Sequence, residues 1–305
     1  MSEPVLIARS LRKRYGRFDA LAGVDLEVHR GDLYGLLGQN GAGKTTAIKI
    51  LARLIRATGG SAMILGRDVE GTKPPELFAG VGFLVESPSF FPHLSGRVNL
   101  GFHARLLGLD REAAAVDAAL AEVGLSDAGD RRVKEYSLGM VQRLGIAQAG
   151  LGDPELLILD EPTNGLDPGG ISEVRDRLRE MVTQRERTVV LSSHLLSEVE
   201  VACNRVGVLE GGRRVAEGDV ESLLGPGEET RVRVDDVERA GRVLAEAGVE
   251  ASTVGEELRL AGGDAVVARA LAALHDAGVS VYEASRERRS LEDVYHDLVT
   301  GASTT

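Results

Sequence analysis

Gly38-Gln39-Asn40-Gly41-Ala42-Gly43-Lys44-Thr45 fits the spacing G-x-x-x-x-G-K-[ST], and each residue type in it suits phosphate binding. Glycines let the backbone wrap closely enough for its N–H groups to donate to an anion. A helix opening after Gly43 points its positive end at the same charge. Lys44 can bridge the β- and γ-phosphates of a nucleoside triphosphate, and the Thr45 hydroxyl can ligate Mg²⁺. Thr46 completes the candidate ATP-binding run. By composition alone the spacing arises in roughly one unrelated chain in a hundred of this length. Here it follows the apolar run Leu33–Leu37 and precedes a helical stretch, the context that separates a phosphate cradle from a glycine-rich turn.

A second constellation is Leu156-Leu157-Ile158-Leu159-Asp160-Glu161, an apolar run that ends in two acids. In a P-loop enzyme the first acid orients Mg²⁺, often through water. The second is placed to polarise an attacking water as a general base. Two acids where a strand reaches solvent account for the pair equally well in isolation; the cradle decides for catalysis.

With these motifs in place the sequence resembles the ABC ATPase family. Tyr136-Ser137-Leu138-Gly139-Met140-Val141-Gln142-Arg143 resembles the ABC signature that precedes a helix. Pro162-Thr163-Asn164-Gly165-Leu166-Asp167-Pro168 is similar to the D-loop region, and Ser192-Ser193-His194 to the switch histidine. Tyr15 sits where the family places an aromatic under adenine. The motifs follow the family's order across about residues 5–220. The resemblance implies a head-to-tail dimer with a second ATPase subunit, identical or not, in which cradle and partner signature clamp each ATP. Ser137 and the Gly139 backbone then touch the γ-phosphate of ATP held by the other subunit. Asp167 connects the two sites, and His194 contacts the γ-phosphate and helps hold water near Glu161. It also implies a separate transmembrane permease whose coupling helix docks on the region Phe90–Val133, with Phe90, Phe91 and Leu94 as apolar candidates.

Two departures are informative. The signature reads Ser-Leu-Gly-Met rather than Ser-Gly-Gly-Gln, so Leu138 and Met140 replace a glycine and an amide. After Val81–Val85 stands Glu86, where the family usually has a glutamine that reaches Mg²⁺. Both are similar to the branch of bacitracin-resistance and lantibiotic-immunity exporters. That likeness points to export of a drug or peptide antibiotic, with Glu86 joining Thr45 and Asp160 as a metal ligand; a carboxylate is a hard ligand suited to Mg²⁺.

The elements that must position these residues follow from pattern. Leu33–Leu37, Val81–Val85, Leu156–Leu159 and Thr188–Leu191 read as buried strands. Val5–Tyr15 and Leu21–Val28 alternate and read as an antiparallel flank. Helices are predicted after Gly43, before Gly108, over Arg111–Val123, from Ser137, and from Gly169 to Gln184. This is an α/β P-loop core in residues 1–224, with a helical subdomain over about 87–150. Leu224–Thr230 reads as a linker. Beyond it, Arg231–Val234, Val237–Ala247, Glu250–Val254, Glu257–Leu260, Ala265–Asp276 and Val279–Glu283 spell βαββαβ, a small ferredoxin-like α+β domain over 225–305. A last helix, Leu291–Thr300, follows.

Bulk composition fits this picture. A single cysteine, Cys203, excludes an internal disulfide or a multi-cysteine zinc site. The net charge is −11, and residues 225–305 hold nine arginines against sixteen carboxylates, a local balance of −7. Such acidity disfavours nucleic acid as a partner, and with it the competing class of non-transport ABC ATPases that act on ribosomes or DNA. No apolar run reaches the roughly 18 residues of a spanning helix, and no signal pattern opens the chain. The expected location is the cytoplasmic face of the membrane, held there by the permease.

Overall fold

The computed structural model describes residues 3–225, 229–255, 257–287 and 290–301; residues 226–228 of the predicted linker lie outside them. In chain order the elements begin with β1 (Pro4–Tyr15), β2 (Phe18–His29), β3 (Leu33–Leu37), α1 (Lys44–Leu51), β4 (Gly59–Ile64), β5 (Arg67–Asp68) and α2 (Pro74–Leu77). They continue with β6 (Val81–Leu84), α3 (Gly96–Leu106), α4 (Glu112–Glu122), α5 (Leu138–Gly150), β7 (Leu156–Leu159), α6 (Pro168–Arg185) and β8 (Thr188–Ser193). Then come α7 (Leu196–Ala202), β9 (Arg205–Glu210), β10 (Arg213–Asp219) and α8 (Val220–Leu224). The second of two compact units, Glu221–Asp297, holds β11 (Glu229–Val234), α9 (Val237–Glu246), β12 (Ala251–Val254), β13 (Glu257–Ala261), α10 (Asp264–Asp276) and β14 (Val281–Glu287). α11 (Leu291–Gly301) closes the described chain.

The central sheet runs β10-β9-β3-β8-β7-β6, parallel except for the edge strand β10. Every residue of β3, β7 and β8 is buried, as expected of strands covered on both faces. The flanking sheet, β2-β1-β4-β5, is antiparallel. Its alternation of buried and solvent-facing residues buries Leu6, Ala8, Val24 and Leu26 against α1 and the central strands. Helix starts follow their caps: Ser95, Ser137 and Asp167 each accept from the backbone N–H three residues on. The second unit's sheet, β12-β13-β11-β14, is antiparallel throughout and packs a separate core of Val232, Leu244, Leu258, Leu260, Ala270 and Leu274. Its element order is the βαββαβ expected above, with the last strand starting at Val281 rather than Val279.

β4, β5, α2, α7, β9, β10 and α8 fall outside the sequence expectations. β10 carries charged or half-exposed residues throughout, so no apolar alternation marks it. Gly211-Gly212 between β9 and β10 is the local hairpin signal that was there to be read.

The sheet meets α5 at close range. A Cβ on Gly82 of β6 would lie 1.9 Å from the Ala149 carbonyl oxygen. Gly82→Ala should therefore destabilise the protein by about 1–3 kcal/mol through overpacking, read as a lower urea midpoint; an unchanged midpoint would show that β6 and α5 are not packed this tightly.

Candidate functional site

Strands β3, β8, β7 and β6 lie side by side and parallel, so their carboxyl ends open on one edge of the sheet. That edge is where open α/β sheets bind ligands. Gly38–Gly43 leaves the end of β3 and turns into α1 with Gly43 as its N-cap at φ 111°. Gly38 and Gly41 also adopt positive φ, a conformation that side-chain-bearing residues rarely take. Lys44, the first residue of the helix, is only 5% exposed. Its ammonium donates to the Gly38 carbonyl at 2.6 Å and the Gln39 carbonyl at 3.3 Å.

The same ammonium lies 3.3 Å from Glu161 Oε1, and the other Glu161 oxygen is 2.8 Å from His194 Nδ1. A carboxylate can only accept, so this contact assigns the imidazole proton to Nδ1. Thr45 Oγ1 donates to Asp160 Oδ1 at 3.2 Å. The sequence-predicted residues of the cradle, the acid pair and the switch histidine therefore converge. A groove of about 380 Å³ lies over them, lined by Gln39, Asn40, Gly41, Gly43, Lys44, Thr45, Thr46, Glu161, Asn164 and His194. Tyr15, Phe18 and Ala20 close one side. Tyr15 is half exposed, with the Lys13 ammonium 5.0 Å from its ring centre. Ala42 is buried beneath the loop.

Ser192, in the sequence only the first residue of the switch-histidine segment, organises the acids. Its fully buried hydroxyl donates to Asp160 Oδ1 at 2.6 Å and accepts from the Glu161 backbone N–H at 2.9 Å. Thr45, Asp160 and Ser192 thus hold one carboxylate oxygen between two hydroxyls. A threonine hydroxyl beside a carboxylate is a hard-oxygen set that fits Mg²⁺.

Glu86 goes elsewhere. Its carboxylate meets Lys49 Nζ at 2.5 Å, one helical turn beyond Thr45, and this hydrogen bond is the main cause that raises the Lys49 pKa. Leu84 and Leu159 are paired in register, so Glu86 and Glu161 stand at matching positions two residues past neighbouring strand ends. Both are left-handed, at φ 62° and 48°. Ser137 caps α5 and Asp167 caps α6; neither they nor Leu138, Gly139 and Met140 line the groove of their own chain. Leu138 is exposed beside Gly165, and Gly139 lies near Leu166.

A buried lysine in a glycine-rich helix N-terminus, facing two acids and a histidine on adjacent parallel strands, defines a P-loop nucleoside triphosphatase. Comparison with known proteins narrows the class. Residues 21–164 match the family model described as ABC transporter. The chain is 42% identical over 213 residues to the bacitracin transport ATP-binding protein BcrA of Bacillus licheniformis, covering 70% of this chain and 69% of that one. It is 38% identical over 309 residues to the daunorubicin resistance ATP-binding protein DrrA2 of Streptomyces coeruleorubidus, covering 97% and 95%. Among solved structures, cbiO1 from Clostridium perfringens, part of the ABC transporter complex cbiONQ, superposes with a TM-score of 0.67 at 28% identity, over 73% of this chain and 91% of that one. The chain belongs to the ABC transporter ATP-binding protein family and is an ATP-hydrolysing subunit.

Ser192→Ala removes both buried hydrogen bonds to the acid pair. Loss of buried bonds to a charged group costs roughly 1–3 kcal/mol, so the urea midpoint should fall, and phosphate release at saturating ATP should fall about tenfold or more because both acids lose their anchor. A wild-type rate would show that Ser192 does not position these acids.

Proposed function

We propose that this chain is the motor of an exporter that carries a drug or peptide antibiotic through a separate membrane subunit. The observation that carries the ATPase part is the sharing of the Glu161 carboxylate between Lys44 and His194. Phosphate entering the cradle competes for Lys44 and draws the ammonium from Glu161 toward the β- and γ-phosphates. Glu161 is thereby released to accept a proton from the attacking water, while His194 keeps its carboxylate oriented. Thr45 and Asp160 would hold Mg²⁺, which when bound would supply positive charge that offsets the triphosphate; Glu86 could join them only by leaving Lys49. Tyr15 supports the adenine.

Ser137 and the Gly139 N–H suit a γ-phosphate presented by a second ATPase subunit, because they open a helix whose positive end faces outward. That reading accounts for their absence from the groove of their own chain. Asp167, capping the next helix, links the two sites. Residues 225–305 form an accessory domain that supports the dimer or regulates hydrolysis.

An exposed apolar patch on the helical region supports docking of a permease. Phe91 and Phe102 meet edge to face at 5.9 Å, with Leu106 and Leu107 exposed on the same helix and its end. Patches of this kind mark interaction surfaces. Phe90 and Leu94 are half-buried, so Phe91 is the better anchor among the residues predicted. No helix among the described residues is long and apolar enough to cross a membrane, which leaves the transport path to the partner. Antibiotic export is carried over from the bacitracin and daunorubicin relatives and from Glu86 and Ser-Leu-Gly-Met.

The test is capture of a partner. Tagged Glu161→Gln protein, purified with ATP from gently solubilised membranes of its source, should bring down a polytopic membrane protein in about equal amount. Recovery of ribosomes or DNA-associated proteins instead would place the chain in the non-transport class.

A further inference from the structure

A second basic cleft lies on the reverse face of the hairpin that borders the nucleotide groove. Side chains alternate along a strand. Tyr15, Phe18 and Ala20 of β1–β2 face the groove, while Arg12, Arg14, Asp19 and Leu21 face a cavity of about 540 Å³. Arg213, the first residue of β10, and Thr58 close that cavity from the other side.

Three guanidiniums against one carboxylate is a local excess of positive charge in a chain whose net charge is −11. Arg14 is paired to Asp19, Nε to Oδ1 at 3.2 Å. Among the described residues, the Arg12 and Arg213 guanidiniums carry no hydrogen bond or ion pair. The Arg12 stem lies against Gly59 and its guanidinium against Gly23. Unpaired arginine forks arranged around a concavity match the oxygens of a phosphate or similar anion.

The cleft is also wired to the cradle. The β9–β10 turn ends in Gly212, whose N–H donates to the Ala42 carbonyl at 3.1 Å and whose carbonyl accepts from the Ala22 N–H at 2.7 Å. Arg213 follows directly. Arg213 is thus one residue removed from a hydrogen bond to the phosphate loop.

We propose that Arg12, Arg14 and Arg213 form a second anion site that takes a phosphate-bearing ligand and communicates with the nucleotide groove through Gly212. The ligand is either a free phosphate compound or a phospholipid headgroup. No cradle residue lines the cleft, so the site stands or falls independently of the ATPase reading.

The experiment is calorimetric titration of pyrophosphate into the full, nucleotide-free chain, in parallel with sedimentation on vesicles with and without anionic phospholipid. For a free phosphate source, wild type takes up two pyrophosphates, Lys44→Ala one, Arg12→Gln/Arg213→Gln one, and the triple variant none. Loss of the arginine pair weakens the second site at least about tenfold, as expected for charge-assisted bonds. For a lipid source, sedimentation on anionic vesicles is lost in Arg12→Gln/Arg213→Gln while pyrophosphate fills the cradle alone. The proposal is overturned if both pyrophosphates persist in the arginine variant. It is equally overturned if Lys44→Ala binds neither pyrophosphate nor anionic vesicles, a result that does not depend on the arginine variant folding.

Discussion

Glu161 stands between a buried ammonium and an imidazole, and the rest of the nucleotide site is arranged around that carboxylate. Lys44 approaches from the helix after β3, His194 from the end of β8, and Glu161 itself from the end of β7. The parallel sheet, with β8 between β3 and β7, brings these three ends to one edge. The fully buried apolar strands hold that order, and the flank, α1 and the helical region keep the strands covered. Lys44 is only 5% exposed, and two loop carbonyls and one carboxylate take the place of water around its ammonium.

Part of the folding free energy is held as backbone strain at the same edge. Glu86 and Glu161 both take left-handed conformations two residues beyond paired strand ends, at a cost on the order of 1–2 kcal/mol each. For Glu161 the conformation is locked by the Ser192 hydroxyl on its N–H. For Glu86 the fixed partner is Lys49. The two acids thus share a backbone solution but have different charge partners, one inside the groove and one beside it. Glu86 places a carboxylate outside the groove, and Lys49 partners it from the helix that also carries Thr45.

Much of this was legible from residue types because the motifs are local. The cradle, the acid pair and Ser192-Ser193-His194 each occupy a few consecutive positions at the end of an apolar run, and the buried strands are runs of Leu, Ile and Val. What was not legible depends on pairing across sequence. Ser192 reaches Asp160 over 32 positions, and no pattern near Ser192 announces it. Lys49 reads as an ordinary solvent-facing helix residue until Glu86 is placed against it. β10 is charged because it lies at a sheet edge, so its membership becomes visible only through its ladder with β9. The signature and D-loop residues were legible as motifs, yet their positions on one chain are those of two helix caps.

The central claim is that Glu161 and His194 act as one unit over the cradle, with Glu161 as the base. Single-turnover phosphate release from Glu161→Gln, His194→Ala and the double variant measures it directly, with ATP binding checked in each. Each single change should slow release by about a hundredfold or more, and the double variant should be no more than a few-fold slower than Glu161→Gln alone, because coupled residues are not additive. Losses that multiply in the double variant, or a Glu161→Gln protein that releases phosphate at the wild-type rate, would contradict the account.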